Sequence, residues 1–145
     1  MGRTRIELPA KFRFTCRIPV RITDINYGGH VGNDRILSLI HEARVAYLDN
    51  LGFSELRFAG AGLIMADVAI EFKKELFYGD QLEVQVEAGN FGSAGFDLFY
   101  KLEKIVNESV VTVAHARTGM ICYDYEKKKP VALPVMAREK MENAD

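Results

Sequence analysis

"VRITDINYGGHVGNDRILSLIHEARVAYLDNLG", Val20 to Gly52, changes its periodicity partway, and that change decides the fold. The strand-like side begins upstream, where residues 12–22 place an apolar residue at every even position and Arg13, Arg17 and Arg21 opposite. Strict period-two alternation is the pattern of a half-buried strand. Pro19 falls on the polar side and, lacking an N–H, requires an edge position or a bulge. On the other side of the change, Ile36, Leu37, Ile40, Ala43, Tyr47, Leu48 and Leu51 recur at helical spacing. Leu39, Val45 and Ala46 widen the apolar arc, which predicts a wrapped helix rather than one laid on a surface. Asn33 or Asp34 is expected to cap its start, and Gly52 sits where a helix end prefers glycine.

Four more strand-like runs follow. Leu63–Lys73 ends in alternation, "YGDQ" turns the chain, and Leu82, Val84 and Val86 alternate with Glu83, Gln85 and Glu87. "NFGSAG" leads to Phe96, Leu98, Tyr100 and Leu102, and Asn107-Glu108 turns into Val110–Tyr123, apolar on both faces as a central strand should be. The tail, "EKKKPVALPVMAREKMENAD", reads as a turn, a proline-bounded segment and a short polar helix. Short turns imply antiparallel neighbours. The order predicts one α+β domain over residues 1–145, a five-stranded antiparallel sheet curled around one long helix. The sheet's second face needs cover, and the apolar outer side of residues 110–123 points to another subunit.

The bulk composition excludes several classes. A net charge of −1 offers no basic face for nucleic acid. No apolar run approaches the ~20 residues that span a bilayer. "MGRTRIELPAKFRF" has no apolar core of a signal peptide, and Ile6 stands where a myristoylation signal wants Ser or Thr. The cytoplasm is the expected compartment, with Cys16 and Cys122 as buried thiols rather than a disulfide.

The junction Thr23–Asp34 carries two aspartates, two asparagines, one histidine and three glycines. "DINYGG" starts like a calcium loop, but Arg35 stands at the twelfth position, where a bidentate glutamate is needed. "HEAR" at His41–Arg44 is followed by Val45, not by the second histidine of a zinc protease. With His30, His41 and His115 scattered, no metal or other cofactor is expected. Two readings of the junction stand equal. Free N–H groups at the helix start, glycines at 28, 29 and 32, and Asp24, Asn26, His30 and Asn33 are equipment for metal-free acyl transfer or hydrolysis. The same residues also make side-chain turns and a cap.

The residues resemble a family. Val20–Gly52 is similar to the hotdog-fold acyl-CoA thioesterases of the 4-hydroxybenzoyl-CoA thioesterase-like group. Their usual pattern is Asp-x-Asp-x-x-Gly-His-Val-Asn-Asn, then Glu-Ala-Arg on a helix that ends near Leu-Gly. Asp24, Gly29, His30, Val31, Asn33, Glu42, Ala43, Arg44, Leu51 and Gly52 match. "EFKKELFYGDQLEV" (71–84) and "KKKPVALP" (127–134) extend the likeness over most of the chain. Two positions depart from it. Asn26 replaces the second Asp, commonly the catalytic carboxylate, and Gly32 replaces the first Asn.

The resemblance implies a hotdog fold and a homodimer or homotetramer that hydrolyses an acyl-CoA thioester by activated water at a shared interface. The composition already gives no expectation of a nucleic-acid or membrane partner. The Asn33 backbone N–H would polarise the carbonyl, and His30 and Asn26 would orient carbonyl or water. Asp24 would be the base, with Asp67 from a partner subunit as runner-up. Gly29, Gly32 and Asp34 would border the substrate, and Lys73, Lys74 and Arg117 would meet CoA phosphates. Within the same resemblance, a hydratase or dehydratase, an acyl-carrier-protein thioesterase and a non-catalytic acyl-CoA binder are the alternatives.

Overall fold

A computed structural model describes residues 3–143. Met1 and Gly2, read above for a lipidation signal, lie outside the described residues. Strand β1 spans Phe14–Pro19, helix α1 Asn33–Asn50, β2 Gly62–Phe72, β3 Gln81–Gly89, β4 Gly95–Val106 and β5 Ser109–Asp124. A two-residue β6, Lys129–Pro130, and a C-terminal helix α2, Val135–Asn143, complete the order. All pairings are antiparallel, in the order β1-β3-β4-β5-β2, with β6 on the end of β5. The five expected strands are therefore joined by a short sixth, and β5 lies in the interior of the sheet as its sequence required. No helix among the described residues is long and apolar enough to cross a membrane.

The period-two alternation sends one set of side chains to α1. Leu82, Val84 and Val86, Leu98, Tyr100 and Leu102, and Ala114, Ala116 and Cys122 are buried there. Helix α1 contributes Ile36, Leu39, Ile40, Ala43, Tyr47 and Leu48. Fully burying side chains of Leu or Ile size stabilises by about 1.5–3 kcal/mol each. The wrapping is one-sided, however. Leu39 is buried as expected, but Val45 remains 49% exposed on the far flank of the helix.

Helix α1 ends where Gly52 takes φ +84°. Gly52 N–H donates to Asp49 O (2.9 Å) and Phe53 N–H to Leu48 O (2.8 Å), the paired bonds of a Schellman stop. The β4–β5 hairpin turns on Asn107 and Glu108, both at positive φ, which matches the right-handed twist of the strands they join.

Strand β1 is shorter than the alternation predicted, and it occupies the edge that Pro19 demands. Beyond it, Ile22–Asp24 form a 3-10 turn closed by Asp24, whose Oδ2 accepts the Arg21 N–H at 2.9 Å. The alternation therefore stops short of the junction, where Asp24 is buried and Asn26 exposed. Capping is corrected. The N-cap of α1 is Gly32, with no side-chain cap, rather than Asn33 or Asp34.

The outer face of the sheet is covered in part by the chain itself. The Ile6 N–H donates to Glu71 Oε1 at 3.0 Å, and residues 5–9 line one cavity with Phe99 and Arg117.

Candidate active site

The polar junction folds back on itself between the 3-10 turn and α1. Ile25 and Val31 form an isolated bridge, Asn26 N–H donates to His30 O (3.0 Å), and Gly29 N–H donates to Asn26 O (3.1 Å). Gly29 takes φ +88°, a conformation open to glycine at little cost. Buried Val31 anchors the loop, and its N–H donates to Leu76 O at 2.9 Å in the connection from β2 to β3. The Asn26 carboxamide is oriented by its own loop, because Oδ1 accepts the Gly28 N–H at 2.9 Å.

Helix α1 starts from this platform. Arg35 and Ile36 N–H both donate to Gly32 O, while the N–H groups of Asn33 and Asp34 donate to no atom of the described residues. These are the free amides that every helix start leaves over, and they carry the positive end of its dipole. Beside them lies a cavity of about 220 Å³. Val31, Ile36, Phe72 and Leu76 form its apolar wall, and His30, Asn33, Lys73, Lys74 and Glu75 its polar one. Lys73 pairs with Glu71 at 3.1 Å, whereas Lys74 has no ion pair among the described residues.

The structure thus brings together His30, Asn33, Lys73 and Lys74, with Asn26, Gly29 and Gly32 in the adjoining loop and Asp34 in the first turn of α1. Within the one chain it does not bring Asp24 or Asp67 to the cavity. Asp24 is buried in the 3-10 turn, bonded to the Arg21 amide and facing Arg21 Nε at 3.9 Å. Asp67 lies opposite Gly119 on the outer face of the sheet. Two hydrogen bonds from Arg117 (3.2 and 3.1 Å) hold it there and keep its carboxyl below the usual aspartate range. Arg117 also binds Asp97 at 3.1 Å, so its charge is spent on two carboxylates rather than turned toward a phosphate. Glu42 is exposed along the helix, away from the cavity; the partner of buried Arg44 is Glu55 (3.4 Å). His41 also meets Glu55, and His115 sits on the outer face across from Glu71.

Sequence reasoning missed Glu75 as a wall of the cavity. The signal for it was weak: an exposed residue in a charged run, brought to His30 and Asn33 only because Val31 pairs with Leu76.

Comparison with known proteins agrees with this architecture. Residues 20–141 match the model of the thioesterase-like superfamily. The chain is 32% identical over 119 residues to a 1,4-dihydroxy-2-naphthoyl-CoA hydrolase of Thermosynechococcus vestitus, covering 79% of each chain. Among solved structures, a 1,4-dihydroxy-2-naphthoyl-CoA thioesterase from Synechocystis superposes with a TM-score of 0.81 at 23% identity, covering 91% of this chain and 97% of that one. A 4-hydroxybenzoyl CoA thioesterase mutant complexed with 4-hydroxybenzoyl CoA superposes at 0.80 and 17% identity, covering 88% and 97%. The chain belongs to the thioesterase-like superfamily and has its hotdog fold.

Proposed function

We propose that the protein hydrolyses an acyl-CoA thioester to the free acid and CoA, using a water molecule at the start of α1. The observation that carries this reading is the pair of free amides at Asn33 and Asp34, set beside a part-apolar cavity that His30 and the Asn33 side chain also line. A thioester carbonyl seated there accepts the Asn33 N–H and develops its negative charge against the helix dipole. His30 and Asn26 orient the carbonyl and the water. Phe72, Ile36 and Leu76 receive the acyl group, while Lys74 and, past Glu71, Lys73 meet the CoA phosphates.

A second copy of the chain completes the site. Among the described residues β2 pairs only with β5, and beyond Leu63, whose N–H and C=O are taken by Glu55 O and the Tyr125 hydroxyl, its other edge of backbone N–H and C=O groups is open. Met65, Val68 and Phe72 lie on its helix side and are 36%, 38% and 50% exposed. An eleven-residue edge with an apolar margin supports a homodimer formed along β2, with a homotetramer as a pair of such dimers.

Asn26 favours a second reading, a non-catalytic acyl-CoA binder, because a carboxamide neither attacks a thioester nor takes a proton at neutral pH. One assay separates the two. CoA release is followed with a thiol-trapping dye over 1,4-dihydroxy-2-naphthoyl-CoA, 4-hydroxybenzoyl-CoA and short and long aliphatic acyl-CoAs. Turnover of any of them is the expected result. Tight binding with no release of CoA across the panel would sink the hydrolase reading.

A further inference from the structure

Hydrolysis by water needs a proton acceptor, and Asn26 is none. The geometry around Gly32 points to a replacement. A Cβ placed on Gly32 would stand 2.6 Å from Asp34 Oδ1 and 3.5 Å from Asn26 Nδ2. The Asp34 carboxylate therefore occupies the space that any other residue at 32 would fill, and it does so next to the Asn26 carboxamide. Gly32 itself has φ −71° and ψ 157°, ordinary extended backbone that any residue adopts. Conformation does not call for glycine here; a side chain at 32 would displace the exposed Asp34 carboxylate from beside Asn26.

The other nearby carboxylates are accounted for or differently placed. Asp24 is buried against the Arg21 amide, and Asp67 is held by Arg117 on the outer face. Glu75 lines the cavity among the lysines. Among the described residues the Asp34 carboxylate has neither hydrogen bond nor ion pair. An acidic residue in the first turn gains from the helix dipole. That gain needs no missing side chain two residues earlier.

We propose that Asp34 is the general base of the hydrolysis, seated beside Asn26 by the absent side chain of Gly32. The assignment rests on the acyl-CoA hydrolase reading above. Asp34 takes a proton from the water as the water oxygen bonds to the thioester carbon. The carbonyl π pair moves onto its oxygen, which the Asn33 N–H holds. When the intermediate collapses, the C–S bond breaks and its pair leaves on the CoA sulfur, which collects the proton from Asp34. The acid formed loses its own proton to solvent. The Asn26 Oδ1 is engaged by Gly28 N–H, so its Nδ2 is the end that faces the water.

The test compares wild type with Asp34→Asn, Gly32→Ala, Glu75→Gln and the double variant Asp34→Asn/Asn26→Asp. Steady-state kinetics are measured on the substrate turned over best in the panel. Thermal melting and binding of a non-hydrolysable thioether analogue of that substrate report on fold and site. Loss of a general base costs about 10²–10⁴-fold in rate. Asp34→Asn is expected to lose at least 100-fold in kcat with melting and analogue binding unchanged. Gly32→Ala keeps the fold, since the atom in its way is the end of a side chain, but lowers kcat by displacing that carboxylate. Restoring a carboxylate at 26 in the double variant is expected to recover at least tenfold over Asp34→Asn. Asp34→Asn turning over at the wild-type rate, with or without loss in Glu75→Gln, overturns the assignment and leaves the hydrolase reading intact. Wild type inert across the whole panel overturns both.

Discussion

Arg44, 5% exposed on α1, reaches one carboxylate, that of Glu55, at 3.4 Å. Glu55 also meets His41 Nε2 at 3.0 Å, and the Arg44 Nη1 lies 3.9 Å from Met65 Sδ. A buried guanidinium with a single ionic partner is a costly arrangement when that partner is removed. Glu55→Ala is therefore expected to destabilise the fold by about 3 kcal/mol, because it strands the charge. Arg44→Met removes the buried charge itself and leaves a partly exposed glutamate that His41 and water can serve, so it is expected to cost about 1 kcal/mol or less. Urea midpoints of the two variants check the order; equal losses would contradict it.

The free amide of Asn33 can be deleted without disturbing α1. Proline is well tolerated at the first helical position, where its missing N–H is not needed, and Gly32 already has the extended backbone that a residue before proline prefers. Asn33→Pro is expected to lower kcat by about 10²–10³-fold relative to Asn33→Ala, the usual cost of one oxyanion donor. Melting temperatures should stay alike. Equal kcat in the two variants would show that this amide does not hold the reacting oxygen.

The edge of β2 yields a test of assembly. Val68→Asp places a charge on its exposed apolar margin, on the side of the sheet that α1 occupies. Sedimentation velocity is expected to show a dimer for wild type and a monomer for the variant at micromolar concentration, with turnover lost in parallel. A monomeric wild type with full activity would remove the second copy from the site.

Burial pushes the thiols of Cys16 and Cys122 up from 9.0 to about 11, and Glu42 adds to the effect at Cys16. Both folded values lie above the unfolded one, so the folded chain binds more protons than the unfolded chain between them. Their contribution to stability is fully present below pH 9 and is lost as pH rises through about 11. Alkylation at pH 8 should be slow in the folded protein and fast in urea, and urea midpoints should decline over that alkaline window. Cys122→Ser, which removes one buried thiol, should flatten the decline.

The elements were legible because their signals are local. Alternation at residues 14–19 and 81–89 and helical spacing from Ile36 to Leu48 each report which face of one element is apolar. Chain reversals at Gly52 and Asn107-Glu108 announce themselves through the backbone angles that those residues tolerate. The early end of β1 was not legible for the opposite reason. A 3-10 turn closed by an aspartate onto an amide three residues earlier interrupts the strand, and the alternation across it carries no mark of that bond.

What the sequence by itself determined is the α+β hotdog arrangement, the helix start rich in asparagine, aspartate and glycine, and the departures at Asn26 and Gly32. What only the tertiary structure decided is which carboxylates are already committed. Asp67 and Arg117 stand 50 residues apart and bind each other because β2 pairs with β5. Glu75 lines the same cavity as His30 because Val31 bonds to Leu76, and Asp34 fits beside Asn26 because Gly32 has no Cβ. Periodicity depends on neighbours three or four residues away. The state of a charged group depends on whatever the fold brings within about 4 Å of it, and no local pattern encodes that.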